Sequence, residues 1–106
     1  MQDFAKAIQI DGTDLTSETV LEAVDATHRF RLKGGSLTAT GASGDFYIRD
    51  GAAGDEIYTV PLALDVTHNF DLGQYGIGSK TDAADLVAQF SGGAVSGVLY
   101  IDLDTI

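Results

Sequence analysis

The chain has no cysteine in its 106 residues, so it can build neither a disulfide nor a thiolate metal site, and its redox compartment stays open. It has no tryptophan, the side chain most used to stack on sugars, and a single proline. Positive charge is scarce: six Lys and Arg stand against sixteen Asp and Glu, giving a net charge of −10, and from Asp50 to the end Lys80 is the only cation. Such a surface repels a phosphate backbone, which sets nucleic acid aside as a partner, and it disfavours anionic membranes for the same reason. No apolar run approaches the ~20 residues a membrane helix needs. No basic segment followed by an apolar stretch opens the chain, so no secretory leader is expected.

What is present is the material of a folded β domain. Apolar residues make up 44 %, enough to fold, and the length suits one domain, read here as 1–106, with 1–16 as an N-terminal arm or an extra edge strand. Short runs rich in Thr, Val, Ile, Tyr and Phe are separated by Gly, Asp, Ser and Asn at intervals of about ten residues, the pattern of an all-β sandwich or barrel. The runs predict strands at 5–10, 19–24, 28–33 with an extension towards 40, 45–49, 56–64, 68–72, 75–78, 85–90 and 97–103. Apolar parity in the third run changes from Phe30 and Leu32 to Leu37 and Ala39, and Gly34-Gly35 at the change predicts a β-bulge or a crossing between sheets. Pro61 belongs away from a central ladder position. A helix over 16–23 is conceivable from its capping residues, but strand-like 60–64 matches part of it and argues against that.

The chain also repeats itself. VLEAVDATHRF (20–30) and VPLALDVTHNF (60–70) share Val20/Val60, Ala23/Ala63, Asp25/Asp65, Thr27/Thr67, His28/His68 and Phe30/Phe70 at an offset of forty. Each copy leads into a glycine-rich stretch and an apolar segment opening with Asp45 or Asp85, and Ile57-Tyr58 has a counterpart in Leu99-Tyr100. Two related halves in one body are expected, each copy forming an equivalent extended hairpin. The expected fold is therefore an all-β, two-sheet antiparallel sandwich of jelly-roll type with eight or nine strands.

Three constellations carry candidate chemistry. In each Asp-x-Thr-His turn the Asp and Thr oxygens can accept backbone N–H groups and close a reversal, while the functional alternative is a pair of histidines sharing a metal or sensing pH. Arg29, Arg31 and Lys33 alternate with Phe30 and Leu32, putting three cations on one strand face. That face is either a docking stripe for an acidic partner or sister subunit, or a solvated face with cross-strand acids. Asp45, Asp50, Asp55 and Glu56 surround a Gly-Ala-Ala-Gly turn that could hold calcium but lacks EF-hand spacing, and reads more simply as a polar hairpin tip. No G-x-S-x-G elbow, P-loop or dinucleotide fingerprint occurs, and no enzyme activity, metal or cofactor is expected.

The segments TVLEAVDATHRFRLKGGSLTAT, DFYIRDGAAGDEIYTVPLAL and DLVAQFSGGAVSGVLYIDL resemble, over roughly four fifths of the chain, a diffuse group of small virion accessory proteins of tailed bacteriophages. The resemblance implies a capsid decoration (cement) protein. Such a protein is a β-sandwich without an active site, oligomeric and often trimeric, bound to the major capsid protein or another virion protein on the capsid surface and made in the host cytoplasm. A tail, neck or fibre component is the nearest variant. The arm, with Phe4 and Lys6, and the stripe Arg29, Arg31, Lys33 are the candidate contacts. The contrasting reading is a small carbohydrate- or ligand-binding module using Tyr47, Tyr58, Tyr75 or Tyr100, with Tyr75 the ring most expected at the surface.

Overall fold

Period-two alternation decides which segments extend, and the computed structural model, which describes residues 6–106, has nine strands and no helix among them. They are β1 (Lys6–Asp14), β2 (Thr19–Glu22), β3 (His28–Ala39), β4 (Gly44–Asp50), β5 (Glu56–Leu62), β6 (Thr67–Asp71), β7 (Ile77–Gly78), β8 (Leu86–Phe90) and β9 (Ala94–Thr105). In β4, Phe46 and Ile48 are buried while Tyr47 and Arg49 are only half-buried, so one face meets the core and the other the solvent.

The strands form two sheets. One has the order β1-β9-β3-β6, with β7 also paired to β3, and the other has the order β2-β8-β4-β5. Every pairing between strands is antiparallel. β1 pairs with β9, β2 with β8, β3 with β6 and β4 with β5. Apart from the two-residue β7, the chain is one long hairpin of nested pairs rolled into two layers, which is the jelly-roll arrangement. The layers close on a core of Phe30, Leu32, Leu37, Leu99 and Ile101 from the first sheet and Phe46, Ile48, Leu86 and Phe90 from the second, all fully buried. Each such side chain contributes about 1.5–3 kcal/mol by leaving water. Phe46 and Phe90 are also ladder partners, their rings tilted with centroids 6.3 Å apart.

The expected bulge is present. Leu32 faces Ile101 and Gly34 faces Tyr100, so Lys33 is an extra residue in β3, and beyond it the inward positions become odd-numbered. Gly35 is required here by close approach: a Cβ would stand 2.5 Å from the Val98 carbonyl oxygen and 2.9 Å from the Phe70 ring. Pro61 lies in β5, an edge strand, where its missing N–H breaks no inner ladder.

The repeated segments correct one expectation. Neither copy is a hairpin, because its two strands never pair with each other. In the first copy the chain leaves β2 in one sheet and enters β3 in the other, and in the second it leaves β5 and enters β6 in the same direction. Both Asp-x-Thr-His segments therefore turn the corner between the layers. β2 and β5 occupy the two edges of their sheet and the Asp-led β8 and β4 its middle, an order that is unchanged when the two halves are exchanged. The match of Ile57-Tyr58 with Leu99-Tyr100 does not extend to place, since β5 and β9 lie in opposite sheets. β5 also ends before Leu64, which is 43 % exposed and not part of the core, and the 75–78 segment shortens to β7.

β1 is the outer strand of its sheet, and it is more firmly built in than a removable arm. Ile8, Ile10 and the following Leu15 are buried in the core. Phe4 lies outside the described residues.

Candidate functional site

The two longest strands, β3 and β9, lie side by side, and their outward face collects charge of both signs. Arg29, Arg31 and Lys33 alternate with the buried Phe30 and Leu32, as the spacing predicts. Their ladder partners on β9 are acids: Asp104 opposite Arg29 and Asp102 opposite Arg31. Arg31 donates from Nε (3.0 Å) and Nη2 (2.5 Å) to Asp104 Oδ2, and Arg29 pairs with Asp82. Lys33 differs from the solvated cation expected at this position. As the extra residue of the bulge it is only 6 % exposed, and Nζ donates to the Gln74 carbonyl oxygen at 2.5 Å with Asp102 Oδ2 at 3.4 Å.

Every Lys and Arg of the chain meets an acid in this way. Lys6 binds Glu22 at 2.8 Å, joining the edge strands β1 and β2 of the two sheets, Arg49 lies 3.5 Å from Glu56, and Lys80 lies 3.5 Å from Asp55. The stripe is thus a mosaic of paired charges on an acidic molecule, with no surplus of positive charge. Arg49 also lies over the Tyr47 ring, 5.4 Å from its centroid.

The two Asp-x-Thr-His corners use their residues differently. Asp25 Oδ1 accepts from the Thr27 amide (2.8 Å) and hydroxyl (2.7 Å) and lies 2.7 Å from His28 Nδ1. These bonds, that of His28 first, hold the Asp25 carboxyl down at about 2. Asp65 instead takes a left-handed backbone (φ 60°), its amide donates to the Ala39 carbonyl, and Thr67 bonds Thr38 across the β3–β6 ladder. His68 stacks on Phe70, which stacks in turn on Tyr58 at 4.8 Å. The histidines are not a pair: Leu37, opposite His68, is nine residues along β3 from His28, on the order of 25–30 Å at the rise of a strand.

The acidic loop is dispersed as well. Asp45 is the second residue of β4 and Asp50 the last, and Asp50 is buried with Oδ2 accepting the Lys80 amide at 3.1 Å. Among the described residues no three His, Asp or Glu side chains converge as metal ligands.

Two shallow hollows lie on the outer face of the first sheet. One, of about 240 Å³, sits beside Arg29, Asp82 and Asp104. The larger, of about 290 Å³, lies over the bulge between Lys33, Gly34, Ser36, Asn69, Asp71 and Tyr100. Tyr100 and Asp71 are the two ladder partners of Gly34, so their side chains flank a position that has none. The sequence reading found the Gly-Gly bulge but not this hollow, because Asn69, Asp71 and Tyr100 come together only through pairings across β3. Tyr75, expected at the surface, is 74 % exposed on the loop between β6 and β7.

No family model matches the sequence, and no curated protein does. Among solved structures, the coat protein of tobacco streak virus is similar at 12 % identity and a TM-score of 0.41, over 98 % of this chain and 83 % of that one. At that distance the likeness fixes neither ancestry nor function.

Proposed function

We propose that this chain is a structural virion protein of the decoration or cement type, which assembles with copies of itself as a trimer and binds the major capsid protein, or another virion protein, on the capsid surface. The reading has it made in the host cytoplasm and needing neither catalysis nor a cofactor. The observation that carries the proposal is the outer face of β3 and β9, where Arg29, Arg31, Asp102 and Asp104 form a row of alternating charge on the two longest strands of a jelly roll. A sign-alternating face on two long paired strands matches another surface in register and orientation, which suits adhesion more than it suits a reaction. Fold alone assigns no function, but jelly rolls are a recurrent architecture of viral shells.

In this reading β1 supplies the contact between copies. It is the last strand of its sheet among the described residues, and its outer backbone edge can accept another strand. Lys6 opens that strand, and Phe4, two residues earlier in the sequence and outside the described residues, is the other candidate contact. Arg29 and Arg31, with Lys33 anchoring the bulge between them and the hollow, face the shell. Many identical weak contacts then add up to firm attachment. Light scattering on the purified chain tests the assembly, with a stable trimer expected and a monomer at micromolar concentration counting against it. Reversing Arg29 and Arg31 to Glu tests the face: the folded variant is expected to leave the particle, and unchanged occupancy would remove these residues as contacts.

A further inference from the structure

We propose that the hollow over the β3 bulge is a binding site for a neutral sugar, taking one pyranose ring at a time. The inference is separate from the virion reading and stands or falls on the isolated protein. Its basis is the chemistry of the lining. Tyr100 offers an aromatic ring beside a floor that Gly34 leaves without a side chain. Asn69 offers a donor and an acceptor together, and Ser36 a hydroxyl. Asp71, also in the lining, uses Oδ1 to accept the Gly73 amide at 2.8 Å, which orients its carboxylate, and a carboxylate oxygen is an acceptor suited to a sugar hydroxyl. An aromatic face with an adjacent amide, carboxylate and hydroxyl is what a ring with one apolar face and polar edges requires.

The site is held in place from beneath. The Leu72 amide donates to the Lys33 carbonyl at 2.9 Å, and the Lys33 ammonium is held by the Gln74 carbonyl, so the loop carrying Asp71 and the exposed Tyr75 is tied to the bulge. That use of the ammonium, the carboxylate of Asp71 and the net charge of −10 together select against phosphate, nucleotide and sulfated ligands. The volume of about 290 Å³ sits at the lower end of ligand pockets, so a single ring fits and a larger cofactor does not. A shallow one-ring site of this kind binds with Kd on the order of millimolar.

The test is a titration of the isotope-labelled full chain, followed by amide NMR, with methyl β-galactopyranoside, methyl β-glucopyranoside, methyl α-mannopyranoside and N-acetylglucosamine in turn. At least one of these is expected to give saturable shifts confined to the amides around the bulge, residues 69–71 and Tyr100. Tyr100→Ala and Asn69→Ala are each expected to weaken that binding about tenfold or more while the spectrum stays dispersed; Asn69 is exposed, so its variant keeps the test open if loss of Tyr100 disturbs the sheet. Absence of saturable shifts with all four sugars, shifts elsewhere on the surface, or a stronger response of the same amides to inorganic phosphate would overturn the proposal.

Discussion

At the scale of single residues, the corners and the bulge show how little sequence is needed to fix a local geometry. Asp25 gathers three hydrogen bonds within one turn, and they hold its carboxyl below the ordinary carboxylate range. A carboxyl depressed by folding stabilises the native state in full above its unfolded value near 4 and loses that contribution as the pH falls through about 2. Urea unfolding at a series of pH values checks this: wild type is expected to exceed Asp25→Asn at neutral pH, with the gap closing between about pH 4 and pH 2. Gly97 carries the opposite kind of constraint, a backbone conformation (φ 148°) with the Ser36 carbonyl oxygen 1.9 Å from where a Cβ would go. It lies between Leu37 of β3 and Ile10 of β1, so the sheet has no room to relax around it. Gly97→Ala is expected to cost ~3 kcal/mol or more, read as a lower denaturant midpoint.

At the scale of the strand, β1 decides between an arm and a structural element. Its two inward residues, Ile8 and Ile10, and the Leu15 that follows are core, so deleting 1–16 removes a wall of the sandwich, not a detachable arm, and is expected to unfold the protein. Ile10→Ala alone is expected to cost about 2–4 kcal/mol, read as a lower denaturant midpoint. The sequence was a good guide to where strands run, because alternation is local: Phe46 and Ile48 against Tyr47 and Arg49, or the change of parity across Gly34-Gly35, can be read within a few residues. It was a poor guide to which strands meet. The repeat at 20–30 and 60–70 looked like two hairpins, yet both copies are corners, and nothing within eleven residues says that β2 pairs with β8 and β5 with β4. The burial of Lys33 was hidden for the same reason, since it depends on Gln74 and Asp102 arriving from distant parts of the chain.

At the scale of the whole molecule, the first and last strands are neighbours and the nested pairs bring together residues nearly the full chain apart. Folding must close those long loops before the ladders reward it, so refolding is expected in the millisecond-to-second range or slower, as stopped-flow fluorescence of the tyrosines would record. The same topology sets Arg29 and Arg31 on the face shared with Asp102 and Asp104, in a molecule that keeps an excess of ten negative charges after its six cations are paired. Adhesion through that face, repeated over a shell, is the claim on which the functional account rests. Its most direct test is quantitative mass spectrometry of particles purified from the source. The account predicts the chain in tens to hundreds of copies per particle, on the scale of the repeating shell sites that avidity requires; intact particles that lack it would contradict the account.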